Sequence, residues 1–381
     1  MASWAFRSAL CGVVGATLGA VVWSQIPADT GPPQAQFYLS SDQTIPVDGK
    51  GGTAIMGPYV RVKDWPTLPE GRKIDSGPAI HVESPDRVYV GTRGSRLPYP
   101  IPVGWQRQTV MKFFGLTSKD LDPKRDYILD VFNREGKLIE HWKQYDLPDS
   151  PVRTVQRWHV NVRDPNRYNY ITGGNIIVLS HDGQTVIKVI TAADIPARPG
   201  LGFSPEGMAF TKDGGFWVVA HGRVIKFSKE FKYETEFGTP GAAPDQMLGI
   251  HDLVYDEVGH RFYIADQYAH RVVVYDDKGK LVDVWPNIIS PSAIRMTADR
   301  KYLWVGDIYA PRFMKFDLKG HMITTFGTWG FQDGAISGIH DFEVDSEGAL
   351  YVANHDIQAT QKFVPLKDFM PGQVIGPLLP R

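Results

Sequence analysis

Two histidines stand at matching places in two similar stretches, each followed by an aspartate: Ile250-His251-Asp252 and Ile339-His340-Asp341. A neutral imidazole is the commonest nitrogen ligand for a transition metal, and a carboxylate beside it can fix the ring's orientation. Asp252 and Asp341 are the natural orienting groups. A third histidine, His159 in Trp158-His159, falls in a weaker copy of the same stretch. Three imidazoles with one open position make the set a catalytic Zn2+ requires, because neutral ligands leave the ion charge enough to acidify a bound water or hydroxyl. Packing or duplication is the competing reading. For His159 the alternation of Val-Gln-Arg-Trp-His-Val places Trp158 at the matching position unless a bulge shifts the register. Glu206, at the same place in another copy, is a further ligand, a base or a buried carboxylate.

These residues need elements that bring them together. From Gly249 to Trp285 the chain holds four β-rich runs, Asp252–Tyr255, Arg261–Ala265, Arg271–Tyr275 and Lys280–Trp285, with turn residues such as Asp276-Asp277-Lys278-Gly279 between them. That is a four-stranded antiparallel meander. Such a sheet has two faces to bury and two edges to protect, so it implies neighbours of its own kind. That stretch and three clear copies of it place Glu206, His251, Ser292 and His340 at one position, spaced roughly 41 to 48 residues apart, the range of propeller blades. Two weaker copies precede them. The fold expected is all-β, a six-bladed β-propeller whose first strands converge on a central channel. The segment Pro58 to Trp65 reads as a strand without a partner, expected to close the ring on blade six.

At 381 residues and 43% hydrophobic content the chain can bury a large core. Lys+Arg 41 against Asp+Glu 42 leaves a formal net charge of -1, which gives no basic surface for nucleic acid. Residues 1–24 read as a signal peptide or an anchor, with Arg7 before an apolar run from Ala9 to Trp23. Export is therefore expected, with membrane attachment only if the segment is uncleaved. Cys11, the single cysteine, lies within it, so thiol chemistry is absent from a mature chain. Residues 25–56 read as a flexible tether, 57–365 as the propeller and 366–381 as an extended tail. An aromatic-rich insertion at 94–126 in blade one is either a lid or a packing cover.

The His-Asp pair, the D-x-x-G turn and the R-x-x-x-F/Y-D strand resemble NHL-repeat propellers. The run Gly338 to Asn354 and the first-blade sequence Arg87 to Gly94 are similar, more narrowly, to peptidyl-alpha-hydroxyglycine alpha-amidating lyase and its bacterial relatives. The resemblance spans about residues 57 to 365. It implies a zinc held by His159, His251 and His340, and Arg93 holding the substrate's carboxylate; Asp341 matches the family's aspartate after the last histidine. Arginine suits that task because its planar fork grips a carboxylate with two bonds. The family's catalytic tyrosine is missing: blade three reads Val219-Ala220-His221-Gly222-Arg223, with His221 as a substitute base or a plain loop residue. Gly338 replaces the family's methionine.

The function expected is an exported, metal-dependent lyase that cleaves a C–N bond to release an amide and glyoxylate. Zn2+ is the expected cofactor, with a structural Ca2+ as an additional candidate. A gluconolactonase-like hydrolase and a non-catalytic NHL-type protein- or peptide-binding propeller are the alternatives. The partner is a small molecule or a peptide, and the chain is expected to be a monomer.

Overall fold

The structure is a computed structural model that describes residues 56–69, 79–93, 128–147, 149–330, 334–355, 359–367, 369 and 372–381. The expected signal peptide or anchor at residues 1–24 falls outside these. So do nearly all of the expected tether and the whole of the insertion at 94–126. Among the described residues, no helix is long and apolar enough to cross a membrane.

Six four-stranded antiparallel sheets follow one another in chain order, which is the six-bladed propeller expected. The innermost strands are Ala79–Ser84, Arg157–Val160, Pro205–Phe210, Ile250–Asp256, Pro291–Met296 and Ile339–Val344, one for each of blades one to six. Their apolar side chains fill the wedges between adjacent blades. Trp158, for example, packs with Tyr89 and Trp142 between blades one and two.

The ring closes as the unpaired strand predicts. Tyr59–Arg61 pairs antiparallel with Ala359–Pro365, in the register Tyr59 to Pro365 and Arg61 to Phe363. Beyond it Trp65 is fully buried, edge-on to Tyr351 of blade six at 5.0 Å and 6.1 Å from Phe132 of blade one. One chain segment thus seals the joint between first and last blades. Deleting residues 1–66 is expected to leave only aggregated protein, and Trp65→Ala alone to cost about 3–5 kcal/mol in a urea titration. A soluble monomer with unchanged melting after the deletion would show that the ring closes some other way.

What positions the channel side chains is a repeated bulge. In blades three to six the register slips by one residue just after Pro205, Ile250, Pro291 and Ile339. The extra residue there turns Glu206, His251, Ser292 and His340 to the axis at the same end of their strands. In blade three Gly207 follows, and a Cβ on it would lie 2.2 Å from Asp252 Oδ1, so only glycine lets the two strands approach so closely. Blade two lacks this slip, since Arg157 pairs with Thr172 and Trp158 with Ile171 in step.

Candidate functional site

The channel holds two layers of polar groups. The mouth layer forms where the inner strands begin. Because each second strand runs antiparallel to the first, the residues that follow it return to this same end, which brings Arg93 and His355 beside the bulged residues. His355 N donates to Gly338 O at 2.8 Å, next to His340. Arg157 is the centre of the layer and is wholly buried. Its Nη1 lies 2.6 Å from His340 Nδ1, and its Nη2 lies 2.7 Å from both His251 Nδ1 and the Ser292 carbonyl. Arg93 donates to Gln156 Oε1 at 2.8 Å and lies 3.0 Å from His355 Nε2 and 3.4 Å from His340 Nε2. The His340 ring is thus sandwiched between two guanidinium groups, stacked at 17° on His355 and edge-on to His251 at 4.6 Å.

The inner layer lies deeper and is acidic. Arg295 donates to Asp252 Oδ2 at 2.6 Å, to Glu343 Oε1 at 3.2 Å and to Asp341. Arg381 reaches the same carboxylates from the far end, where Leu379 N donates to Met296 O and Ala298 N to Pro377 O at the end of blade five's inner strand. Arg381 donates to Asp252 at 2.8 and 3.2 Å and sits 2.9 Å from His159 Nε2. His81 of blade one stands edge-on to His159 at 6.4 Å.

Electrostatics follow from burial. Burial and then the Arg157 charge push the His251 imidazole down to about 3 and hold His340 well below its usual range. Both rings are therefore neutral at pH 7, His340 Nδ1 facing Arg157 and His251 Nδ1 lying between Arg157 and the Ser292 carbonyl, 2.8 Å away. Burial likewise lowers His81 to about 4, and it depresses His159. The Glu206 carboxyl is raised to about 7 by burial, against the pull of Arg157 and Arg93. Although Glu206 keeps some exposure, its Oε2 is sealed from solvent without a hydrogen-bond partner.

Of the residues expected to act together, the structure brings Arg93, His251, His340 and Glu206 to one mouth. His159 is elsewhere. With no bulge in blade two, the mouth position falls on Arg157 and His159 points inward two residues deeper, to Arg381. His221 is exposed on the rim of blade three, its ring over Gly202. Asp252 and Asp341 hold Arg295 instead of orienting an imidazole. Arg157, Arg295, Arg381 and His355 were not anticipated. Only Arg157 had a usable signal, since strand alternation sets it opposite Trp158 on the face of His159.

These donors do not fit the zinc the resemblance implies. The Nδ1 atoms of His251 and His340 lie against a guanidinium, a fixed cation at the point where an ion would bind, and His251 Nδ1 is also engaged with the Ser292 carbonyl. The inner carboxylates, the place for a Ca2+, are similarly engaged with Arg295 and Arg381. Among the described residues, no group of three or more His, Cys, Asp or Glu is arranged to hold a metal ion.

No family model matches the chain. It is 32% identical over 219 residues to NHL repeat-containing protein 3 of Homo sapiens, which covers 50% of this chain and 61% of the human protein. The Mus musculus protein of the same name is 28% identical over 209 residues, 48% of this chain and 59% of its own length. The chain thus spans about three fifths of the curated relatives it matches. Among solved structures, a protein of unknown function from Bacteroides thetaiotaomicron superposes with a TM-score of 0.51 at 13% identity, over 77% of this chain and 70% of the other. At that identity the likeness concerns the fold alone. The chain is a six-bladed β-propeller, similar over about half its length to NHL repeat-containing protein 3.

Proposed function

We propose that the chain is an NHL-type binding propeller whose channel mouth receives the carboxylate of a peptide or small-molecule ligand. The observation that carries this reading is the charge of the mouth. Two guanidinium groups, Arg93 and Arg157, flank the neutral His340, and the carboxyl that accompanies them, Glu206, is itself raised to about 7. A ligand carboxylate against Arg93 gains a charge-assisted bond at a half-buried site, where it is worth more than in water.

Calorimetric titration with short peptides, carboxylate-ended or amidated, tests it. Only the free carboxylates should bind. Arg93→Gln should weaken them roughly 10- to 100-fold, the equivalent of one charge-assisted hydrogen bond. Affinity should rise as pH falls from 8 to 6, because Glu206 takes up its proton near 7 and ceases to compete with the ligand's charge. Equal binding of amidated peptides, unaffected by Arg93→Gln, would dismiss the proposal. The amidating-lyase reading is not carried into it, because Arg157 stands between the two imidazoles the zinc would need. Release of glyoxylate from a peptidyl-α-hydroxyglycine would restore that reading, and hydrolysis of a lactone would favour the other enzyme class.

A further inference from the structure

We infer that guanidinium groups do in this channel the cross-linking work that divalent metal ions would otherwise do, with Arg157 as the permanent cation of the mouth and Arg295 as that of the inner layer. The chain accordingly takes up neither zinc at His251 and His340 nor calcium at Asp252 and Asp341.

Connectivity carries the argument. An ion at a propeller axis is useful because it joins ligands from blades that are distant in sequence. Arg157 does this from blade two, reaching His251 of blade four, the Ser292 carbonyl of blade five and His340 of blade six. Arg295 does it one layer down from blade five, holding Asp252 of blade four and Asp341 and Glu343 of blade six. Each occupies the atoms a metal would need: the imidazole Nδ1 atoms in the first case, the carboxylate oxygens in the second. A guanidinium keeps its charge at any pH a protein survives, and its five donors lie in a fixed plane, so it fills such a place without loss to chelators. A doubly charged ion brought to the same atoms would meet a like charge inside a low-dielectric channel.

Register explains why an arginine stands there. In blades four and six the bulge delivers a short imidazole to the axis. In blade two the strand is regular, so the residue at its start approaches from the strand's own line, and a long side chain spans the gap.

The test uses the full chain, purified with and without chelator, with zinc and calcium as the probes. The native protein should contain well under one equivalent of either metal, give no stoichiometric heat on titration with Zn2+ or Ca2+, and melt at the same temperature in EDTA. Arg157→His puts a third imidazole beside His251 and His340, so this variant should gain about one zinc per chain and a melting temperature that zinc raises and EDTA lowers. One zinc per native chain, lost in His251→Ala, would overturn the inference, as would a native melting temperature that falls in EDTA. Should Arg157→His fail to fold, metal content and chelator response of the native chain decide the matter alone. The outcome is separable from the carboxylate reading, since a metal-free chain that binds no carboxylate refutes that proposal and leaves this one standing.

Discussion

Replacing Arg295 by methionine is expected to cost about 3–5 kcal/mol, among the largest losses a single substitution in this chain can cause. The guanidinium is the shared counter-ion of Asp252, Asp341 and Glu343, and both aspartates are fully buried. The guanidinium carbon also lies over the Phe342 ring, 5.2 Å from its centre; methionine gives up this contact but keeps most of the length of the stem, so the loss is electrostatic more than a cavity. What remains is two or three carboxyl groups facing one another with Arg381 alone, and removing one partner of a buried ion pair costs several kcal/mol because its charge is stranded. Burial already raises Asp341, and it raises Glu343 to about 7, so part of the cost is met by proton uptake rather than by unfolding. The fall in melting temperature should be roughly 6–10 °C, at about 2 °C per kcal/mol for a domain of this size. Arg295→Met combined with Asp341→Leu should be more stable than Arg295→Met alone, since the second change removes a stranded charge. If Arg295→Met melts within about 2 °C of the native chain, the inner layer is not held by this cation.

The contrast between what could and could not be read from the sequence comes down to range. The blades were legible because each is a local object: alternation over five residues, a turn, then another strand. The closing strand Tyr59–Arg61 was legible for a related reason, as the run with no neighbour to pair with. The bulges at His251 and His340 could be found only because their copies align with one another. In blade two nothing in Gln156-Arg157-Trp158-His159 says whether the register slips, and that single residue of register decides whether arginine or histidine reaches the mouth. Arg295 and its carboxylates lie 43 and 46 positions apart and meet only because blades four, five and six pack side by side around the axis. His355 is a loop residue by sequence and a channel residue by topology. Charge partners across a ring leave no periodic trace in the chain.

The same buried groups make stability steeply dependent on pH, most of all in acid. His81 is lowered to about 4 and His251 to about 3, while His159 and His340 are depressed too; in the unfolded chain all four titrate near 6.5. Below 6.5 the unfolded state therefore binds up to four more protons at these sites than the folded state, which favours unfolding as pH falls. Glu206 and Glu343 act in the opposite sense, since both are raised to about 7 and the folded state holds their protons between about 4.5 and 7. The difference is about two protons, or about 2.7 kcal/mol per pH unit at full development. His141 governs the alkaline side. Its ring lies between Asp130 at 3.0 Å and Asp146 at 2.8 Å, and these carboxylates raise it to about 9 despite burial. Its contribution is complete below about 6.5 and is lost as pH rises through 9, at about 1.4 kcal/mol per pH unit. Melting temperature measured from pH 5 to 9 should peak near 6.5 to 7, fall sharply toward 5 and decline gently toward 9. His340→Asn removes one of the acid-sensitive rings and should flatten the acid limb by about one proton, whereas His141→Asn should abolish the alkaline decline and leave the acid limb intact. An acid limb of unchanged slope in His340→Asn would mean that this imidazole is not held neutral in the fold.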